Sequence, residues 1–191
     1  MAKKNKIDLI SILQETEAAS EGHFELPCGL HIQSYIDTNV VMQYPSLAAL
    51  VAGALADLFD KHIDIVFSPS AENSVIAQEV ARVKNARAIF SVLENGAMTL
   101  KGGMQIKPGE QVLIVDNVTM TGRKVNEAAG LVKILKGNVV GVAVIVDRSE
   151  GGALGNVPLR SLLSYPLDSY QPHNCPMCKS GVKLIKKGGK K

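Results

Sequence analysis

The stretch Gln111–Lys124, QVLIVDNVTMTGRK, combines a short apolar run, an acid, a Thr-Gly turn and the start of an amphipathic segment. The run Val112 to Val115 is bounded by turn formers, which predicts a strand buried on both faces. Asp116 is expected at the carboxyl end of that strand. From Gly122 onward the period is that of a helix, and one face carries Val125, Ala128, Val132 and Leu135.

A strand, a turn and a helix in this order predict an anion site. In open α/β sheets, ligands bind past the carboxyl ends of the strands, where the start of a helix presents free backbone N–H groups. A phosphate group is the expected ligand. The same pattern is also that of an ordinary βα turn without a ligand, so both interpretations stay open on the pattern alone.

The segments on either side of this stretch alternate between strand and helix patterns. The predicted helices are Ile7 to Ser20, Pro45 to His62 and Glu72 to Asn85, and the predicted strands are Ile63 to Phe67, Ala86 to Leu93, Asn138 to Val146 and Val157 to Leu167. This rhythm predicts an α/β fold, with a central, mainly parallel sheet flanked by helices and joined by right-handed crossovers.

The opening stretch resembles the signature by which type I phosphoribosyltransferases bind phosphoribosyl pyrophosphate (PRPP). In that family two acids hold the ribose hydroxyls and a Thr-Gly loop wraps the 5′-phosphate. The resemblance implies that Asp116 and Asn117 contact the ribose. It implies that the loop binds phosphate through Thr119, Met120, Thr121, Gly122, Arg123 and Lys124. Asn117 replaces the second acid, and Met120 and the Arg123-Lys124 pair also depart from the usual pattern.

Two further segments resemble the orotate phosphoribosyltransferases. The range 22–44, with its Gly-His-Phe, Gly-Leu-His and Gln-Tyr-Pro runs, is similar to the N-terminal hood over the base pocket. His31 falls close to a basic residue of some members, although its own context fits a surface or half-buried histidine. The VDRSEGG run resembles the base-recognition turn, which implies that Arg148 binds the orotate carboxylate. An ordinary surface arginine is the alternative.

The range 94–108 has three glycines and little periodicity, which predicts a flexible loop or a hairpin. In orotate phosphoribosyltransferases the matching lid brings cations over the pyrophosphate, often from the neighbouring subunit. The resemblance therefore implies that Lys101 is a catalytic lid cation that acts together with Asp116. Ala97 stands where a positive charge is expected.

The range 68–74 matches the pyrophosphate loop of the family. Here Glu72 would repel an anion, and Asn73 does not free the backbone as glycine does.

Two hypotheses for the function follow from these resemblances and departures. The first is transfer of the phosphoribosyl group from PRPP to orotate, giving orotidylate and pyrophosphate in pyrimidine synthesis, with Mg²⁺ bound alongside PRPP and a homodimeric assembly. The second is a catalytically silent homologue that binds a nucleotide or sugar phosphate as a regulatory or structural protein.

A chain of 191 residues with 46% hydrophobic content suffices for one domain with a substantial core. We expect that domain over residues 7–172, with a basic tail at 1–6 and a tail rich in cysteine and lysine at 173–191. No apolar run approaches the roughly 20 residues that cross a bilayer, and no signal-like core follows the charged start. Three cysteines agree with a reducing compartment, so the protein is expected to be soluble and cytoplasmic.

The net charge of +3 comes from the two ends of the chain. Three lysines lie in residues 1–6 and six in residues 175–191, which leaves 12 basic against 18 acidic residues between them. The basic balance therefore does not indicate a nucleic-acid-binding face on the folded domain. Nucleic acid is not an expected partner.

The C-terminal segment contains a CxxC pair, Cys175 and Cys178, next to His173. A zinc site needs four ligands and only three lie here, so these residues form an incomplete candidate site. Similar tails occur in a subset of orotate phosphoribosyltransferases, which explains the pair without a metal. A redox role fits less well, because no strand and helix flank the pair. The chain is expected to leave the fold through its prolines from Pro166 onward.

Overall fold

The computed structural model describes residues 7–26, 28–149, 157–166 and 168–186. The α-helices there are α1 (Leu9–Glu15), α2 (Thr38–Met42), α3 (Pro45–Ala56), α4 (Ser74–Lys84), α5 (Arg123–Ile134) and α6 (Pro176–Lys179). The strands are β1 (Ala19–Glu25), β2 (His31–Ile36), β3 (Ile65–Ser68), β4 (Arg87–Glu94), β5 (Ala97–Leu100), β6 (Gln111–Thr119), β7 (Asn138–Asp147), β8 (Leu159–Ser164), β9 (Ser169–Tyr170) and β10 (Leu184–Lys186).

The larger sheet has the strand order β5-β4-β3-β6-β7-β8. All neighbours pair in parallel except β5, which runs antiparallel to β4. Helices α3 and α4 pack on one face and α5 on the other, because successive apolar residues of the central strands point to opposite sides. The expected α/β fold with a central, mainly parallel sheet flanked by helices is confirmed.

Strand β6 is longer than the sequence predicts, so Asp116 lies within it and not at its carboxyl end. Pairing with β7 continues as far as Thr119, whereas pairing with β3 ends at Ile114. Strand β6 therefore extends past β3 on one side while it stays hydrogen-bonded on the other. On the β3 side, Asp116 faces the loop that follows Ser68.

Other boundaries also move from their predicted places. Helix α1 ends at Glu15, well before Ser20, and Glu17 has a left-handed φ of 55° at the start of the turn into β1. Helix α3 ends at Ala56, short of the predicted His62. The N-terminal tail at 1–6, residues 150–152 at the end of the VDRSEGG run, Leu167 and the last five residues, 187–191, lie outside the described residues.

A second sheet has the order β10-β1-β2-β9, and its strands β1 and β2 overlap the range predicted as the hood. The expectation that the chain leaves the fold after Pro166 is wrong, because β9 pairs with β2 and β10 pairs with β1. A two-stranded hairpin has two open edges and is marginally stable by itself. The C-terminal segment covers both of those edges.

Among the described helices, none has the length and apolar character needed to cross a bilayer.

Gly141 in β7 is a sensitive packing position. A Cβ atom placed there would overlap the ring of Phe59 and approach the Pro158 carbonyl oxygen to 3.0 Å. We expect Gly141→Ala to lower the free energy of unfolding by about 1–3 kcal/mol, because overpacking forces the neighbours to shift. Urea unfolding monitored by circular dichroism measures the change.

The matched control for this substitution is Gly130→Ala in α5, where nothing lies within 4 Å of the added Cβ. That variant should gain up to about 1 kcal/mol from reduced chain entropy in the unfolded state. Equal effects of the two substitutions would contradict the packing argument.

Candidate functional site

Asp116 is the buried acid of the site, with a side chain only 3% exposed. Its carboxylate accepts hydrogen bonds from the backbone N–H of Asn117, at 2.9 Å, and from the side-chain amide of Asn73. Burial raises the pKa of Asp116, and the nearby Glu72 raises it further. The hydrogen bond from Asn117, the charge of Lys124 and the hydrogen bond from Asn73 offset this only in part. Ionised Asp116 is thus a high-energy anion that a cation or a hydroxyl donor would stabilise.

Asn117 supplies a second buried oxygen beside this acid. Its Nδ2 donates to Asn39 Oδ1 at 3.1 Å, so its orientation is fixed by a residue of α2. Its Oδ1 is buried and has no hydrogen-bond partner in the described part of the chain. An orphaned acceptor of this kind fits a hydroxyl group of a ligand.

Asn73 and Asn39 are site residues that the sequence analysis missed. Asn73 stands out in the sequence only as a departure from the glycines of a pyrophosphate loop, yet the structure makes it the partner of Asp116. This contact brings the loop after β3 next to the acid in β6. No sequence signal connects Asn39 with Asn117, because 78 residues separate them.

The loop between β6 and α5 lines a cavity of about 220 Å³ together with Asp116. Gly122 caps α5 in a left-handed conformation, with φ of 72°, which other residues rarely adopt. Within the described residues, the backbone N–H groups of Met120, Thr121 and Gly122 donate no hydrogen bond. The N–H of Arg123 makes one long contact, 3.4 Å, with Thr121 Oγ1. Free amides at the start of a helix form a cradle for an anion.

The side chains of Arg123 and Lys124, which follow Gly122, lie in different surroundings. The charge of Lys124 is felt at Asp116, and the residue lines the same cavity. The Arg123 side chain is 80% exposed and pairs with Glu127 along the helix at 3.6 Å. Lys124 is therefore the cation that already belongs to the site.

Arg148 is buried, 4% exposed, so the alternative of an ordinary surface arginine is wrong. Its Nη1 donates to the Ser34 carbonyl oxygen at 3.1 Å and its Nη2 to Ser34 Oγ at 2.9 Å, while the guanidinium lies 5.5 Å from the centre of the Tyr165 ring. Burial lowers its pKa, and nearby Tyr165 opposes that shift. Nε has no partner among the described residues. The guanidinium thus keeps N–H groups for a carboxylate.

Lys101 does not join this site within the described chain. It follows β5 and pairs with Glu94 at 3.6 Å on the exposed outer edge of the larger sheet. Strands β4 and β3 separate β5 from β6. The hairpin predicted over this range is confirmed by the pairing of β4 with β5, and Ala97 lies exposed at its turn.

The cysteine pair has different neighbours from those predicted. His173 is exposed and lies outside the group of possible metal ligands that contains Cys175 and Cys178. That group is completed by His23 and His31, both from the four-stranded sheet. His31 is 4% exposed, so its interpretation as a surface or half-buried histidine is also wrong.

Comparisons with known proteins agree over the whole chain. The chain is 41% identical over 188 residues, 98% of each protein, to an orotate phosphoribosyltransferase of Caldicellulosiruptor saccharolyticus. It is 38% identical over 180 residues to one from Thermotoga maritima, covering 94% of this chain and 96% of that protein. No family model matches.

Solved structures share the fold at lower identity. The crystal structure of orotate phosphoribosyltransferase from Aeropyrum pernix aligns with a TM-score of 0.71 at 21% identity, over 82% of this chain and 93% of that one. The Mycobacterium tuberculosis orotate phosphoribosyltransferase in complex with PRPP aligns with a TM-score of 0.55 at 23% identity, over 68% and 80%.

Replacing the buried acid should stabilise the fold in a pH-dependent way. Because the folded-state pKa of Asp116 is raised, stability from its protonated form is present at low pH and is lost as pH rises through that pKa. We expect the unfolding free energy of Asp116→Asn, relative to the unsubstituted protein, to increase from about pH 4 upward and then level off. Urea unfolding between about pH 4 and 8 measures the difference.

Asp57→Asn, a substitution at an exposed acid that follows α3, serves as the control. A difference between Asp116→Asn and the unsubstituted protein that stays constant with pH would show that burial does not penalise the charge of Asp116.

Proposed function

The chain belongs to the orotate phosphoribosyltransferase family, and we propose that it transfers the phosphoribosyl group of PRPP to orotate, giving orotidylate and pyrophosphate. The observation that carries this function is 41% identity over 98% of both proteins to a named orotate phosphoribosyltransferase. The buried carboxylate of Asp116 fits such a reaction, because it lies beside a loop whose backbone N–H groups donate no hydrogen bond within the described residues.

In this proposal the loop and the acid divide the recognition of PRPP. The free N–H groups of Met120, Thr121 and Gly122, with Lys124 beside them, receive the 5′-phosphate. Asn117 Oδ1 accepts a hydrogen bond from a ribose hydroxyl. The Asp116 carboxylate lies where positive charge develops on the ribose as pyrophosphate leaves, and it stabilises that charge without having to reorganise.

A divalent cation fits the same pair of residues. The Asp116 carboxylate and the unpartnered Asn117 Oδ1 are hard oxygen donors of the kind that Mg²⁺ accepts, with its remaining positions filled by substrate oxygens and water. When bound with PRPP, Mg²⁺ would neutralise charge on the pyrophosphate. The single carboxylate supports binding largely through the substrate.

Arg148 is proposed to recognise orotate. Its Nε–H has no partner in the part of the chain that the structure describes, and with a further guanidinium N–H it would form a two-pronged bond with the orotate carboxylate while Ser34 holds the group in place. Because Ser34 belongs to β2, the hood would contribute to the base pocket through this contact.

Lys101 is proposed to act on a second protomer. It lies at the far edge of its own sheet, so a homodimer in which the β4–β5 hairpin covers the partner's site would allow it to reach pyrophosphate.

We propose that the protein acts in the cytoplasm. The alternative of a catalytically silent homologue gains no support from the relatives compared, which are named as the transferase.

Formation of orotidylate from orotate and Mg-PRPP tests the function. We expect turnover by the unsubstituted protein and a kcat about 100- to 1000-fold lower for Asp116→Asn, the loss that follows removal of one preorganised electrostatic group. The surface variant Arg82→Gln, which disturbs only a pair with Glu79 on α4, should keep full activity. Binding of PRPP by calorimetry without any turnover would reject the transferase function and favour the silent homologue.

Arg148→Lys should separate orotate recognition from PRPP binding. Lysine keeps the charge but loses the fork, so one charge-assisted hydrogen bond, about 1.5–3 kcal/mol, is lost to orotate. We expect the KM for orotate to rise roughly 10- to 100-fold with the KM for PRPP little changed. Steady-state kinetics with each substrate varied measures both, and an equal rise in the two values would contradict the assignment.

A further inference from the structure

The two ends of the chain bring four potential metal ligands to one point. The ligand atoms of His23, His31, Cys175 and Cys178 all lie within 4.8 Å of one another. His23 and His31 come from neighbouring strands β1 and β2, and the cysteines flank the start of α6. We propose that these four side chains bind a structural zinc ion.

The spacing of the four atoms fits tetrahedral coordination. Zn–N bonds of about 2.0 Å and Zn–S bonds of about 2.3 Å place neighbouring ligand atoms roughly 3.3–3.8 Å apart. Cys178 Sγ lies 3.3 Å from His31 Nδ1 and 3.7 Å from His23 Nε2, and Cys175 Sγ lies 3.5 Å from His23 Nε2. The two ring nitrogens are closer, at 2.8 Å, so they must separate by about 0.5 Å to accept the ion.

A contact behind His23 prepares its ring for a metal. Its Nδ1 lies 2.8 Å from the carbonyl oxygen of Val182, which can only accept a hydrogen bond. The proton of His23 therefore sits on Nδ1, and the lone pair of Nε2 points at the other three ligands. A backbone carbonyl that fixes the tautomer in this way is the usual support of a metal-binding histidine.

The local chain geometry explains why the cluster forms. Phe24 and Ile32 lie opposite each other in the β1–β2 pair, so His23 and His31 fall together on the other face. Cys175 precedes the first turn of α6 and Cys178 lies within it, which brings both sulfurs to one side. Four protein ligands leave no open position, so the site is structural and not catalytic.

The four-stranded sheet has reason to need such a crosslink. In the described part of the chain, the apolar cluster assigned to this sheet has two fully buried members, Phe24 and Ile32. Strands β9 and β10 contribute only two and three residues to the sheet. Small units with little apolar core are commonly stabilised by a metal, whose binding energy is then folding energy.

Metal analysis of the full chain, purified without a histidine tag, tests the site. We expect one zinc per chain and loss of that zinc in Cys178→Ser and in His31→Gln. Cys28→Ser and His173→Gln are the matched controls and should keep the metal, since both residues are exposed and outside the cluster. Zinc retained in Cys178→Ser, or lost in His173→Gln, would overturn the proposal.

Cobalt substitution keeps the test valid if the ligand variants do not fold. Titration of the metal-free unsubstituted chain with Co²⁺ should give the visible bands of tetrahedral cobalt and a thiolate-to-cobalt charge-transfer band, saturating at one equivalent. A strong chelator should lower the Tm of the zinc-loaded protein. A cobalt spectrum without thiolate character, or a Tm that the chelator leaves unchanged, would show instead that a hydrogen bond between the two histidines explains the contact.

Discussion

The unequal pairing of β6 with its two neighbours determines the geometry of the site. Strand β3 ends opposite Ile114, while β7 follows β6 to Thr119. Asp116 is therefore held by a continuous strand but is open on one side to the loop after β3, from which Asn73 reaches it. The same register brings Arg148 to the loop between β6 and α5, because its N–H donates to the Thr119 carbonyl oxygen at 2.8 Å. One strand pairing thus sets the distance between the groups proposed to bind ribose, phosphate and base.

The buried polar groups at this end of the sheet are only partly satisfied. Asp116 carries a charge that burial disfavours, and Asn117 Oδ1 and Arg148 Nε lack partners in the described residues. Folded proteins leave few such groups unpaired, so both atoms are candidate contacts for a ligand. Asn117 has a further consequence. A second carboxylate at this position would add repulsion to the burial penalty of Asp116, so the amide avoids that repulsion while it keeps an oxygen acceptor.

The sequence predicts the order of elements and the central sheet, since apolar periodicity is a local property. It places β7 correctly and α5 from the turn at Gly122 onward. It fails where the answer depends on the relative lengths of distant strands. The extension of β6 past β3, and with it the contact of Asn73 with Asp116, cannot be read from either segment alone. The ligand cluster shows the same limit, because His173 is near the cysteines in sequence but the histidines beside them are about 150 residues away.

The four-stranded sheet and the C-terminal segment that completes it help to position residues of the proposed substrate sites. The range predicted as the hood is hydrogen-bonded to the residues around the larger sheet at two points, Arg148 to Ser34 and Asn117 to Asn39. A shift of this range would therefore move residues of both proposed substrate sites. The four-stranded sheet has a small apolar cluster of its own, formed by Phe24 and Ile32, while Ile36 at the end of β2 packs in the core of the larger sheet. Met177 and Val182 of the C-terminal segment share a cavity wall with Ser34 and Tyr165, the two residues against Arg148. A crosslink at His23, His31 and the cysteine pair therefore rigidifies the strands that present Ser34. The stability of this small sheet and the proposed contact of Arg148 with orotate then depend on the same crosslink.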